Sequence, residues 1–293
     1  MEKYIGKAKV LIEALPYIKR FSGKTVVIKY GGSAMEDERQ KALVIQDIVL
    51  MKLVGMKPVV VHGGGKAISS MMSRLGKKSR FVSGLRVTDA ETAEIAEMVL
   101  SGNINKQIVQ SIQNHGINAV GINGKDANTF IAEKALVDGM DVGFVGSIVS
   151  TNTSLVQSLI DNDFIPVIAP IGTDSEGNTY NINADYAASA IAGALKAQKL
   201  VFLTDVEGIL TDIGNPESII RRISVREAEA LIADGTISGG MIPKAECCID
   251  GIRKGVDSVH ILDGRIQHSM LLEIFTNKGI GTMITTEEAE HAQ

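Results

Sequence analysis

Val26-Val27-Ile28-Lys29-Tyr30-Gly31-Gly32-Ser33 and, further along, Val59-Val60-Val61-His62-Gly63-Gly64-Gly65-Lys66 are two short apolar runs that each end in bare glycine. Runs without polar alternation predict strands covered on both faces. A turn without side chains lets backbone N–H groups approach an anion closely, and a helix beginning just beyond it adds a favourable dipole. Lys29, at the end of the first run, sets an ammonium beside those amides, a combination suited to a phosphoryl group.

Composition narrows the guest. The chain has 293 residues, 45% of them hydrophobic, enough for one extended domain or two ordinary ones with a packed core. Aromatics make up only 4%, Trp is absent, and the formal charge is -4, so neither stacking platforms nor a basic footprint for nucleic acid is present. Any anion is therefore held locally. The adjacent Cys247 and Cys248 match no disulfide framework or zinc spacing and read as small hydrophobes in a helix, with the cytoplasm as the default location. Glu2 and Glu13 interrupt the N-terminal segment, which argues against a signal peptide, and no apolar run has the length of a membrane span.

Strand and helix patterns alternate around the two turns. Tyr4, Ile5, Ala8, Leu11, Ile12, Leu15 and Ile18 recur at helical spacing, predicting an amphipathic N-terminal helix that Pro16 should bend or interrupt. Asp37 to Val54 reads as helix, Lys57 to His62 as strand and Ala67 to Leu75 as helix, a βαβ unit. Thr88-Asp89-Ala90-Glu91 reads as a capping box opening a helix to Leu100, and Ser224-Val225-Arg226-Glu227 as another opening a helix to Ala233. Further strands are expected at Ala119 to Ile122, Ile165 to Ala169, Thr179 to Ile182, Leu200 to Leu203 and Ser258 to Leu262, with turns at Asp126-Ala127-Asn128 and Ser175-Glu176-Gly177-Asn178. The fold class expected is α/β, an open and mainly parallel sheet sandwiched by helices, with an extra helix at the N-terminus. No repeat and no low-complexity linker appears, so a division falls in a crevice within one sheet. Residues 1–22 are assigned to the extra helix, 23–183 to one lobe and 184–293 to a second.

Several phosphate chemistries drop out. The Gly, four residues, Gly-Lys-Ser/Thr pattern has only an echo at Ser22-Gly23-Lys24-Thr25, with Ile18 in place of the first glycine and a strand following. The dinucleotide fingerprint lacks its spaced third glycine at every candidate, Gly279-Ile280-Gly281 included. No Ser elbow flanked by glycines is found for a triad hydrolase. Phosphoryl transfer remains.

The motifs, taken in order, resemble those of the amino-acid kinases, and within them the arginine-biosynthetic branch. The match spans nearly the whole chain: Ile28-Lys29-Tyr30-Gly31-Gly32, Val61-His62-Gly63-Gly64-Gly65, Gly84-Leu85-Arg86-Val87-Thr88-Asp89, Asn181-Ile182-Asn183-Ala184-Asp185, Leu203-Thr204-Asp205-Val206-Glu207-Gly208-Ile209-Leu210 and Gly239-Gly240-Met241-Ile242-Pro243-Lys244. Tyr30 replaces a different apolar residue and leaves Lys29 undisturbed. The resemblance implies ATP-dependent phosphorylation of the side-chain carboxylate of N-acetyl-L-glutamate. A carboxylate of pKa about 4.3 is already a nucleophile at neutral pH, so such a step needs positive charge and positioning instead of a general base.

Lys29 and Lys244 are the candidates for that charge, and in the family the matching lysines flank the phosphoryl group from opposite sides. Two solvated lysines are the plain alternative. A charge ending an apolar strand beside glycines is costly without a partner, which favours a role for Lys29. For Lys244, the preceding Gly239-Gly240 and the Pro243 of a helix start point to an N-terminal anion site. Asp185 resembles the family's buried carboxylate holding both lysines, against an ordinary first-turn acid favoured by the helix dipole. By the same resemblance Gly64 and Gly65 offer backbone contacts to the acyl substrate, Arg86 grips its α-carboxylate, and Asn181 bonds its amide or carboxylate; tight turning and an exposed hairpin arginine are the alternatives. Gly31, Gly32 and the segment Thr204, Asp205, Val206, Glu207 and Gly208 would border the nucleotide. Mg²⁺ would ride on the ATP phosphates, with no protein metal site. His62 reads as a structural hydrogen-bonding residue and is assigned no chemistry.

Regulation follows from the same likeness. The N-terminal helix with its apolar stripe resembles the long, arginine-inhibited members, in which such a helix joins dimers into a hexamer, a trimer of dimers. The segment from His268 to Thr282 resembles their effector site, with Glu273 to pair a guanidinium and Gly279 to offer backbone contacts; a capped surface helix is the alternative. L-arginine is thus the expected effector. The sequence leaves open whether a signalling protein of the PII type binds. A related kinase acting on another carboxylate, such as a carrier-bound aminoadipate, and a noncatalytic arginine or nucleotide sensor are the competing functions.

Overall fold

The computed structural model describes residues 2–35, 37–212, 214–276 and 279–286. The two apolar runs form parallel neighbouring strands, Thr25–Tyr30 and Lys57–His62, in register from Thr25 opposite Lys57 to Tyr30 opposite His62. That register brings the two glycine turns side by side, and the Gly63 N–H donates to Tyr30 O at 2.7 Å. Around this pair grows an eight-stranded sheet, ordered Arg222–Ser224, Thr282–Thr285, Ser258–Asp263, Lys199–Thr204, Thr25–Tyr30, Lys57–His62, Ile165–Ala169, Ala119–Asn123. All neighbours pair in parallel except Thr282–Thr285, which runs antiparallel to Ser258–Asp263. The chain builds outward from Thr25–Tyr30 on one side and returns to build on the other. The strand order therefore reverses between Thr25–Tyr30 and Lys199–Thr204, the place where open α/β sheets offer a crevice at their carboxyl ends.

Alternation along the strands divides the core in two. Val26, Ile28, Val60, Val167, Val201 and Leu203 pack on one face, and Val27, Val59, Val61, Ile168, Leu200 and Phe202 on the other. Lys29 follows the parity of Val27, so it emerges on the second face. That face is covered by the helices Ala184–Ala194 and Met241–Arg253, both contributing buried residues to its cluster. The first face is covered by Glu38–Leu53, Gly65–Arg74, Ala90–Glu97, Asn105–Gln113 and Ser269–Ile274. The expected α/β sandwich, mainly parallel and with an N-terminal helix, is the architecture observed.

Several elements differ from the sequence expectation. The N-terminal helix Glu2–Phe21 runs uninterrupted through Pro16. It is exposed along most of its length, so the carbonyl that loses its N–H partner can be met by water. Of its apolar stripe, Tyr4, Ile5, Leu11, Ile12 and Leu15 lie exposed. The helix read as opening at Thr88 is capped instead by Asp89, which accepts from the Thr92 N–H at 2.8 Å; the Thr88 hydroxyl donates to Arg86 O. It also does not end at Leu100: Ala90–Glu97 continues through a π-helical segment, Met98–Ile104, into Asn105–Gln113. The Ser224 capping box is formed as expected. Not anticipated is a small closed barrel of Phe130–Val137, Met140–Thr151, Ile171–Thr173 and Thr179–Ile182. Among the described residues no helix is long and apolar enough to cross a membrane.

Candidate active site

Lys29, Asp185 and Lys244 converge at the carboxyl end of the sheet. Asp185 sits in the first turn of Ala184–Ala194, whose N-cap Asn183 accepts the Asp185 N–H at 2.8 Å. Its Oδ1 lies 2.8 Å from Lys29 Nζ and its Oδ2 accepts from Lys244 Nζ at 2.9 Å. The two ammoniums thus hold opposite oxygens of one carboxylate, and Oδ1 has no further hydrogen bond. Burial alone would raise the Asp185 pKa, but attraction to Lys29 and Lys244 outweighs it and lowers the value to about 2. Burial opposes the charge of Lys244 as well, and Asp185 reverses the balance, so its pKa is raised. The Lys244 ammonium also stands 5.9 Å from the Phe202 ring. The trio carries a net positive charge; Lys29 and Asp185 line the crevice and Lys244 stands behind Asp185.

The glycine turns are bare for a reason visible in their neighbours. A Cβ on Gly31 would come within 2.8 Å of Lys29 Nζ, so the missing side chain leaves the ammonium room to lie back over its own turn. A Cβ on Gly64 would come within 2.4 Å of Ile104 Cδ1 and 2.5 Å of Leu100 Cδ2, both from the π-helical segment. The Tyr30 hydroxyl, buried, donates to Ala34 O and holds the loop after the first turn. Between the turns opens a pocket of about 260 Å³ that Lys29, Gly31, Gly32, Gly64, Gly65, Arg86, Asn181 and Asp185 all line. Arg86 is buried, not an exposed hairpin residue, and burial pushes its pKa down. Asn181 reaches Thr88 Oγ1 at 3.5 Å.

The segment from Thr204 to Gly208 leaves the adjacent strand and does not line that pocket. Thr204 Oγ1 accepts from the Val206 N–H at 3.1 Å and closes the turn, while Asp205 and Glu207 are exposed. Gly264, whose Cβ would meet Ala34 Cβ at 2.9 Å and Thr204 O at 3.4 Å, brings this segment against the loop that follows Gly32. Among the described residues no group of three His, Cys, Asp or Glu side chains is placed to hold a metal ion. Asp263, at the neighbouring strand end, is engaged by Arg265 Nε and Nη2.

The C-terminal candidates fall into two places. Glu273 is buried: Oε1 accepts from His260 Nδ1 at 2.7 Å and Oε2 from the Ile280 N–H at 2.7 Å. Burial raises its pKa, but the bond from His260 and the backbone N–H groups outweigh that and lower it to about 2. Gly279, at φ +49°, lies against the same carboxylate. His268 instead turns away to Asp47 of Glu38–Leu53, at 2.5 Å. Helix Ser269–Ile274 is not a surface helix, since Met270 and Ile274 enter the core. Asn277 and Lys278 of the quoted effector segment lie outside the described residues.

Sequence reasoning missed the groups that support these sites. Lys199 Nζ is 2.9 Å from His260 Nε2 and 5.0 Å above the Phe21 ring, tying the N-terminal helix to the Glu273 cluster. Burial lowers the Lys199 pKa to about 8 and the His260 pKa to about 4. The available signal was a lysine opening the otherwise apolar run Leu200-Val201-Phe202-Leu203. His62 is buried and held by Gly63 O and by Asn105, whose Nδ2 also donates to Val167 O at 2.8 Å. Nothing in the sequence marks Asn105, because the π segment that aims it inward has no pattern of its own.

Comparison with known proteins agrees on a single family. The Amino acid kinase family profile matches residues 24–263. The chain is 58% identical over 283 residues to the acetylglutamate kinase of Caldanaerobacter subterraneus subsp. tengcongensis, covering 97% of this chain and 94% of that one. It superposes on the N-acetylglutamate synthase of Neisseria gonorrhoeae complexed with coenzyme A and N-acetyl-glutamate with a TM-score of 0.83, at 28% identity, over 96% of this chain but 63% of that one. The same synthase complexed with coenzyme A and L-arginine gives a TM-score of 0.80 at 26% identity, covering 96% of this chain and 65% of that one.

Proposed function

The chain belongs to the amino acid kinase family, and we propose that it transfers the γ-phosphoryl group of ATP to the side-chain carboxylate of N-acetyl-L-glutamate, a step of arginine biosynthesis. The observation that carries this reading is the Lys29–Asp185–Lys244 trio beside a pocket lined by two glycine turns. A carboxylate oxygen attacks the γ-phosphorus; one P–O bond forms, the bond to the β,γ-bridging oxygen breaks, and its electron pair leaves with ADP. No proton moves, so no general base is required, and the account rests on charge and position. Lys29 and Lys244 stabilise the charge spread over the transferring group, with Asp185 fixing both. Arg86 and Asn181 orient the substrate, and backbone N–H groups of Gly64 and Gly65 meet its acyl end. ATP extends from Gly31 and Gly32 toward Thr204–Gly208, with Mg²⁺ carried on its phosphates. Residues 23–183 then form the acyl-substrate and dimerisation lobe and 184–293 the nucleotide lobe, acting in the cytoplasm.

L-arginine inhibition is the regulatory part of the proposal. Glu273, Gly279 and His268 are its effector residues, and the contact of Phe21 with Lys199 supports a route from the N-terminal helix to that cluster. The exposed stripe on Glu2–Phe21 is the surface that would join dimers into a hexamer.

ATP consumption measured with N-acetyl-L-glutamate, glutamate, aspartate and carbamate, each with and without arginine, tests the reading. Turnover with N-acetyl-L-glutamate alone, depressed by arginine, is the expected result. Turnover with a different carboxylate, or none, overturns the substrate assignment.

A further inference from the structure

Arg86 is 6% exposed, and burial pushes its pKa down; no Asp or Glu among the described residues pairs with it. It is held by neutral groups alone. Nη1 donates to Ser79 Oγ at 2.7 Å and Met72 Sδ at 3.4 Å, and Nη2 donates to Gly65 O at 2.6 Å and Ser69 Oγ at 2.8 Å. The Phe81 ring stacks on the guanidinium at 4.7 Å. Gly65 and Ser69 stand one turn apart on the helix Gly65–Arg74, which is why both reach the same nitrogen. Ser79 comes from the loop before the antiparallel pair Phe81–Val82 and Leu85–Arg86 and touches Ser69 Oγ at 3.3 Å.

A buried cation usually has a carboxylate beside it, because desolvation without a counter-charge is costly. Here the four Nη protons are satisfied, yet the charge is not. Serine hydroxyls do this where aspartates would not: they fix the plane of the guanidinium while adding no negative charge. We propose that Ser69 and Ser79 are positioning residues for the acyl substrate, holding Arg86 in the pocket wall and leaving its charge for the substrate's α-carboxylate to neutralise. This rests on the reading above in which Arg86 faces that carboxylate.

The proposal makes substitution by Asp worse than substitution by Ala. Ser69→Ala and Ser79→Ala each raise KM for N-acetyl-L-glutamate by about tenfold, the effect of losing one hydrogen bond to a charged group, while kcat and KM for ATP stay near wild type. Ser79→Thr, which keeps the hydroxyl, restores the wild-type KM. Ser69→Asp supplies the missing counter-charge inside the protein and raises KM by about a hundredfold or more, with no loss of melting temperature. Calorimetric binding of N-acetyl-L-glutamate without ATP follows the same order. If the wild type does not phosphorylate N-acetyl-L-glutamate, the functional reading itself fails. If the wild type is active but the Ala variants keep its KM, the inference is wrong. It is equally wrong if kcat and melting temperature fall while both KM values rise together, or if Asp is tolerated better than Ala.

Discussion

Lys244 Nζ lies 2.9 Å from Asp185 Oδ2 while the other oxygen of that carboxylate faces Lys29, so one buried anion sets the position of two cations from separate elements. Three elements separated in the chain are joined there. The strand end, the helix N-terminus and the glycine-preceded helix each supply one charge, and the sum remains positive.

Asp185→Asn keeps the shape and removes the charge. The two ammoniums then repel and lose their common anchor, and kcat should fall by about 10² to 10³, in the range seen for loss of one electrostatic contact. Steady-state kinetics check this, with circular dichroism to confirm folding. Because Asp185 is held at about 2, its contribution to stability is present above the ordinary carboxylate range and disappears only as the pH falls through about 2.

Acid should weaken the fold before that point. Burial lowers His62 and His260 to about 4, so the folded state resists protons that the unfolded chain accepts near pH 6.5. Stability is therefore full above about pH 6.5 and declines from there to about pH 4. Asp47, raised by burial to about 6, works in the opposite direction and offsets part of the loss. Melting temperatures recorded from neutral pH to pH 4 should fall steadily; a flat profile would contradict the buried neutral histidines.

Gly64→Ala should damage binding more than folding. Its new methyl would press on Leu100 and Ile104, side chains that can yield only by moving out of the π segment beside the pocket. An increase in KM for the acyl substrate of about tenfold is expected, with melting temperature lowered by only a few degrees. Unchanged KM would argue that the second turn does not face the acyl group.

Removal of residues 1–20 should dissolve the proposed hexamer and blunt the proposed response to arginine, leaving turnover intact. The exposed Leu11 and Leu15, proposed to pack on a neighbouring copy, are removed, and the contact from Phe21 to Lys199 loses its lever. Mass in solution and arginine titration measure both effects, and a hexamer of unchanged mass would refute this use of the helix.

Much of this arrangement could be read from the residues. Continuous apolar runs before glycine gave away the central strands, since a strand covered on both faces has no polar register to hide. The capping box at Ser224 was equally plain. The long strands Phe130–Val137 and Met140–Thr151 were not, because they alternate irregularly between core and solvent and lean on a barrel that exists only after folding. By sequence alone Asp185 read as an ordinary helix-start acid, and only the distant partners Lys29 and Lys244 distinguish the two. Lys199 and His260 went unnoticed for the same reason: their meaning lies in Glu273 and Phe21, which the chain brings to them from other elements.

The most direct test of the central claim is the turnover of Lys29→Ala and Lys244→Ala with ATP and N-acetyl-L-glutamate, measured beside their melting temperatures. Each variant should stay folded and lose at least about 10² in kcat, since each removes one of the two cations proposed to face the transferring group. Near-normal turnover in either folded variant would contradict the account.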